Sequence, residues 1–173
     1  MLQPMEATAE AYDKVFASTL KRSIGTAECL SSRNTVEIDP RLAEIDYGDA
    51  EGLTFGELKR SYPHIVEQWD HGHDPPFPNG ERQADVALRL ESFLRDVILP
   101  LREGTTLVVT HNVVLRVLLG KSLGIPMRNW FRIQLDHLES FRFRVIDGVL
   151  IPAIKPEQRT RLRDQAFEME TRL

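Results

Sequence analysis

Residues 106–110, Thr-Leu-Val-Val-Thr, constrain the fold most. An uninterrupted apolar run of this kind predicts a strand covered on both faces, as in a parallel sheet held between helices. Gly104 precedes it, His111-Asn112 ends it, and Val113 to Leu123 reads as a helix stopped by Gly124. Val15 to Ser18 is a second short apolar run, followed by a helix over Leu20–Leu30 with Leu20, Ile24, Ala27 and Leu30 on one face. Cys29, the single cysteine, reads as a small buried hydrophobe inside that helix and excludes an intrachain disulfide. Val36 to Ile38 is a further strand, closed by Asp39-Pro40.

Between these strands the chain is punctuated. A short helix is expected over Glu6–Tyr12, and Arg41 to Gly52 reads as a carboxylate-rich loop. Thr54 with Glu57 makes a capping box that starts a helix running to about Tyr62-Pro63. Residues 70–80, rich in proline and glycine, read as a lid-like loop. Asp85 to Leu101 is the clearest helix, with Val86, Leu90, Phe93, Leu94, Val97 and Leu101 at helical spacing. Phe131 to Leu135 is expected to be a strand, and Ser140 to Ile151 a hairpin turning at Asp147-Gly148. Glu157 to Leu173 is a highly charged helix with a thin stripe of Leu162, Ala166, Met169 and Leu173. It reads as a solvated surface helix, and the alternative use of the stripe is a homodimer contact.

Alternating strands and helices with a terminal hairpin predict an α/β fold, a three-layer α/β/α sandwich with a mostly parallel sheet. Residues 1–155 are read as one domain and 156–173 as the charged C-terminal helix. No apolar run reaches the length of a membrane helix, and the N-terminus lacks the layout of a secretory signal, so a cytoplasmic location is expected. A net charge of −4 argues against a nucleic-acid surface and leaves room for a small anionic substrate held by local arginines.

Ligands of open parallel sheets sit beyond the carboxyl ends of the strands. Two strand ends carry suitable groups. Arg22 lies in the first turn of the helix after Ser18, where a guanidinium can grip a phosphate bidentately beside backbone donors. His111 stands at the tip of the apolar strand, and Glu44 lies in the loop between them in sequence. His71 and His73 suggest a metal at first sight. No third ligand follows at useful spacing, so no metal or cofactor is expected.

Four segments, in order, resemble the histidine phosphatase (phosphoglycerate mutase-like) superfamily. They are VFASTLKRSIGTAECL at 15–30, LAEIDYGDAEGLTFGEL at 42–58, PFPNGERQAD at 76–85 and LVVTHNVVLRVLLG at 107–120. The resemblance implies that Arg22 binds the transferred phosphoryl group. It implies that Glu44 is the general acid that protonates the leaving oxygen and later activates water. His111 would stabilise charge on the phosphoryl oxygens, with Asn112 as a phosphate or substrate contact beside it. No metal is required in the family.

The family's phosphohistidine forms on an Arg-His-Gly motif after its first strand, and this sequence contains no Arg-His-Gly. The 14 residues before Val15 hold neither histidine nor arginine. By resemblance, the strand ending at His111 should therefore have an open apolar edge where relatives place a first central strand. An N-terminal segment of about 30 residues, a βα unit with its loop, would supply it.

The expected function is hydrolysis of a small phosphorylated metabolite through a phosphohistidine whose nucleophile this chain lacks. The alternative is a non-catalytic module that binds a phosphorylated ligand or a protein partner in the same cleft. Phosphoglycerate mutases of the family carry a longer insertion between acid and second histidine, which the compact stretch from Glu44 to His111 does not match. Arg116 is similar to an arginine that the fructose-2,6-bisphosphatase branch uses on its sugar substrate. Phe55, Trp69 and His73 fall where that branch has tyrosine, arginine and lysine, and Arg82 stands where serine is usual, so the substrate stays open.

Overall fold

The computed structural model describes residues 12–31, 35–101 and 103–167. The helix expected over Glu6–Tyr12, and Met169 and Leu173 of the C-terminal stripe, fall outside those ranges except for Tyr12.

Strand β1 (Lys14–Ala17) leads into α1 (Lys21–Leu30), and β2 (Val36–Ile38) follows. Single 3₁₀ turns at Pro40–Leu42 and Gly48–Ala50 carry the chain to α2 (Phe55–Ser61) and α3 (Pro63–Asp70). The capping box of Thr54 and Glu57 opens α2 as the sequence predicts. Pro63 then starts a separate helix, a position where its missing N–H costs nothing. Helix α4 (Gln83–Phe93) relaxes into a wider π-type turn over Leu94–Ile98. Strand β3 (Thr106–Val109) and α5 (Asn112–Ser122) form the expected strand–histidine–helix unit. The hairpin β4 (Phe143–Ile146) and β5 (Val149–Pro152) turns at Asp147-Gly148, both with positive φ (51° and 75°), as a type I′ turn requires. Helix α6 (Pro156–Phe167) closes the described chain.

The order β2-β1-β3 is parallel throughout, with Ala17 opposite both Ile38 and Val109. Side chains alternate across this sheet with period two. Phe16 and Val108 point into the larger core, built on α4, α5 and the 3₁₀ segment Met127–Arg132. Val15, Ala17, Leu107 and Val109 point the other way, onto Ala27 and Ile24 of α1. Two cores on opposite faces of one sheet are the physical content of a three-layer α/β/α arrangement.

Several expectations need correction. Phe131 to Leu135 is not a strand: Met127–Arg132 is a 3₁₀ turn, because Trp130 folds back against α5. Its indole Nε1 donates to the Ile125 carbonyl at 2.8 Å. A Cβ at Gly120 would lie 2.2 Å from that ring, so only glycine permits the approach. Cys29 is exposed, since α1 buries Ser23 and Ala27 and turns Cys29 outward. Leu162 and Ala166 of α6 are fully buried in the larger core, so the charged helix is anchored rather than laid on the surface. Strand β3 is half-buried rather than covered, because β1 pairs with one of its edges and no described strand pairs with the other. The β4–β5 hairpin forms a separate two-stranded sheet. Among the described residues no helix is long and apolar enough to cross a membrane.

Candidate active site

Parallel pairing of β1 with β3 brings the ends of both strands to one rim. Ser18 follows β1 directly and is fully buried, and His111 caps the start of α5 and is 8% exposed. The Ser18 hydroxyl lies 2.6 Å from His111 Nε2. The same hydroxyl oxygen accepts the Leu20 N–H at 3.2 Å. Ser23 braces the pair: its hydroxyl donates to the Val109 carbonyl and accepts the Ser18 N–H. The ring is thus held in place by the Ser18 hydroxyl at Nε2.

Glu44 approaches from the loop after the first 3₁₀ turn. Its Oε1 accepts the N–H groups of Ile45 and Val113, each at 3.1 Å. Val113 lies in the first turn of α5, so the carboxylate sits at the positive end of that helix. Burial raises the carboxyl above the usual carboxylate range, partly offset by these backbone donors and by the Arg22 charge. Arg22 is exposed on the first turn of α1, and its charge acts on Glu44 and on His111 alike. Asn112 is exposed at the start of α5. Arg116, one turn further, donates Nε–H to the Ile133 carbonyl at 2.7 Å. Burial lowers its proton affinity while Tyr47 and Glu44 raise it. All five residues singled out in the sequence therefore frame one rim, and Tyr47 joins them through its interaction with Glu44.

Sequence reading missed three supports. Ser18 was legible as the residue beside His111 once β1 and β3 were paired in register. Arg89 sits three residues after Val86 and four before Phe93, on the buried face of α4. It forks onto both oxygens of Glu81 (2.9 and 3.1 Å) and donates to the carbonyls of Arg41 (2.7 Å) and Glu44 (3.2 Å). It thus pins the backbone that carries Glu44. The lid-like loop is fastened to that backbone as well. Asp49 N–H donates to the Pro78 carbonyl, and Glu81 N–H donates to the Asp46 carbonyl. A Cβ on Gly48 would meet Pro78 O at 2.1 Å and one on Gly80 would meet Asp46 O at 2.4 Å, so this crossing demands glycine on both sides.

His111 has its pKa pushed down to about 4, first by burial and then by Arg22 and Arg89. A histidine that is neutral when folded destabilises the fold wherever the unfolded chain binds the proton. Its contribution is complete above the unfolded value of 6.5 and is lost as pH falls from there toward 4. At about 1.4 kcal/mol per pH unit the loss is at most about 3.5 kcal/mol. Glu44, with its raised value, works in the opposite sense, gaining as pH falls toward 4.5. Urea unfolding of His111→Asn between pH 4.5 and 7 is expected to show a flatter dependence than the wild type. Equal slopes would mean that His111 does not titrate abnormally.

The family model described as histidine phosphatase superfamily (branch 1) matches residues 5–149. Phosphoserine phosphatase 1 of Hydrogenobacter thermophilus is 29% identical over 139 residues, covering 79% of this chain and 66% of that protein. Fructose-2,6-bisphosphatase of Saccharomyces cerevisiae is 29% identical over 136 residues, covering 77% of this chain and 29% of that protein. The chain thus spans just under two thirds of the first relative and under one third of the second. Among solved structures, Bacillus stearothermophilus YhfR superposes with a TM-score of 0.70 at 26% identity, covering 86% of this chain and 75% of that one. The match over 5–149, falling on the segments that build this rim, places the chain in the histidine phosphatase superfamily, branch 1.

Proposed function

We propose that the rim formed by Arg22, Glu44, His111, Asn112 and Arg116 binds the phosphoryl group of a small phosphomonoester and supplies the acid for its hydrolysis. The observation that carries this is the environment of Glu44. One carboxyl oxygen is held by two backbone N–H groups, and burial raises the carboxyl above the usual carboxylate range, so it keeps a proton to higher pH than an exposed glutamate would. A carboxylic acid held this way can protonate a leaving alkoxide. The cationic Arg22 and the imidazole of His111 suit the charge spread over the phosphoryl oxygens. The names of the relatives, a phosphoserine phosphatase and a fructose-2,6-bisphosphatase, support a phosphomonoester substrate class.

The nucleophile is assigned to a histidine on a further strand lying against the open edge of β3. Two features support this. The apolar strand β3 is paired on one side only among the described residues. None of the chain's five histidines, at 64, 71, 73, 111 and 137, stands in an Arg-His-Gly sequence. Without that strand the rim is a phosphate-binding module.

The chain by itself is expected to bind inorganic phosphate. It should neither turn over para-nitrophenyl phosphate nor form an acid-labile phosphohistidine. Turnover that disappears in His111→Ala would show that the nucleophile is already present and overturn the assignment. Absence of phosphate binding would overturn the site itself.

A further inference from the structure

Period-two alternation sends the Thr110 side chain to the same face of the sheet as Val108, toward the larger core. There its hydroxyl donates to the Leu42 carbonyl at 2.8 Å. Leu42 ends the first 3₁₀ turn and is 1% exposed, and Glu44 follows two residues later. The carbonyls of Arg41 and of Glu44 itself are taken by Arg89. Arg89 therefore fixes the acid-bearing loop to α4, whereas Thr110 fixes it to the strand whose next residue is His111.

The Glu44 carboxyl meets the same stretch of chain again at the Val113 N–H, three residues beyond Thr110. A single hydrogen bond leaves its partners free to pivot about it. Two bonds, set two residues apart on the loop and three apart on the strand–helix junction, fix an orientation. The tip of β3 needs such ties, because one of its edges is unpaired among the described residues. Ser23 of α1 donates to the Val109 carbonyl at 2.8 Å, and Thr110 reaches Leu42 in the opposite layer. Consecutive residues of the tip are thus held from both faces of the sheet. Threonine suits the position: its branched Cβ restricts χ1, and its hydroxyl is the one hydrogen-bonding group that valine, of the same shape, lacks.

We propose that Thr110 is a positioning residue for the acid: its hydroxyl holds the loop of Glu44 in register with His111, so that the carboxyl docks on the start of α5. Thr110 touches no substrate and acts through Leu42 and Glu44. This role rests on the reading of the rim as a phosphomonoester site, but the docking itself is present without phosphate. Burial and the Val113 N–H both depend on that docking, and both are lost if the loop swings out. Burial is the larger influence and raises the carboxyl, while the N–H donors lower it. Undocking therefore lets Glu44 fall back toward 4.5. Arg22 of α1, Tyr47 of the loop and Arg116 of α5 are the charged and titratable groups that act on this carboxyl, and none of them is the partner of the Thr110 hydroxyl.

The test is the titration of the Glu44 side-chain carboxyl in the full chain without phosphate, followed by carbon NMR and assigned with Glu44→Gln. Thr110→Val is expected to move the titration to lower pH, toward 4.5. Thr110→Ser, which keeps the hydroxyl, should return it to the wild-type position. At a pH between the two titrations, Thr110→Val carries an ionised Glu44 where the wild type is protonated. Its affinity for inorganic phosphate, measured by calorimetry, should there be about three- to tenfold weaker, and equal at lower pH where both carboxyls are protonated. Thr54→Ala, which breaks the capping box of α2, is the control for a merely structural loss. It should lower the thermal midpoint and leave the Glu44 titration in place. Thr110→Ala removes the same hydroxyl and replaces Thr110→Val if the valine variant does not fold. A titration unmoved in the variants without the hydroxyl overturns the proposal. So does one moved equally by Thr54→Ala, or one that Thr110→Ser does not restore. Because the titration is read without phosphate, a wild type that binds no phosphate would count against the rim's function alone, and the NMR result would still decide the role of Thr110.

Discussion

Replacing Arg22 by methionine is expected to weaken the rim's binding of inorganic phosphate about 10- to 100-fold at pH 7, measured by calorimetric titration. A hydrogen bond to a charged group contributes about 1.5–3 kcal/mol, and each 1.4 kcal/mol is a factor of ten. Arg22 is exposed in the first turn of α1, so its loss leaves the core untouched and the protein folded. Glu44→Gln should move binding the other way. An ionised Glu44 faces the incoming phosphate with a like charge, and the glutamine removes it while keeping an oxygen for the Ile45 and Val113 N–H groups. The gain should appear above the raised Glu44 pKa and vanish below it, where the wild-type carboxyl is already protonated. Wild-type phosphate affinity, corrected for the anion's own titration, should therefore improve as pH falls through that value. Both variants weakening binding by the same factor would point to general damage and remove the assigned roles.

The largest stability effect is expected at Arg89. It is 17% exposed, and methionine there would leave the Glu81 carboxylate and the carbonyls of Arg41 and Glu44 without their shared donor. Removing one partner of a buried, multiply bonded pair typically costs 3–5 kcal/mol, and the half-buried Glu81 places this case at about 3 kcal/mol. Arg89→Lys should recover only part of the loss, because an ammonium cannot span two carboxylate oxygens and two carbonyls at once. The amide resonances of Ile45 and Val113 should shift in both variants, reporting that Glu44 has moved. A fully stable Arg89→Met with unmoved amides would show that the loop holds Glu44 unaided.

Much of the architecture was legible because it follows from local rules. The apolar run at 106–109, the capping box at Thr54 and the Asp147-Gly148 turn each became the element they predict. Arg22 and His111 could be singled out because strand ends and helix starts are where a parallel sheet exposes polar groups, whereas Glu44, Asn112 and Arg116 were weighted by the resemblance of their segments to the histidine phosphatase superfamily. The stretch 131–135 was misread because β-branched and aromatic content resembles a strand. Its 3₁₀ turn depends on Trp130 meeting Gly120, a contact ten residues apart that no local pattern records.

What the sequence determined by itself was the order of elements, the two-sided pattern of β1 and β3, and the chemical types available at the rim. What only the tertiary structure decided was which groups touch. Ser18 and His111 are 93 residues apart and become partners because parallel pairing of β1 and β3 sets both strand ends at one level. The Glu44 carboxyl is raised above the usual carboxylate range because the surrounding core takes it out of water, against the opposing pull of the N–H donors at the start of α5. Spacing along a chain fixes which face a side chain takes, while proton affinity depends on solvent and charge around it, and those are set by segments remote in sequence.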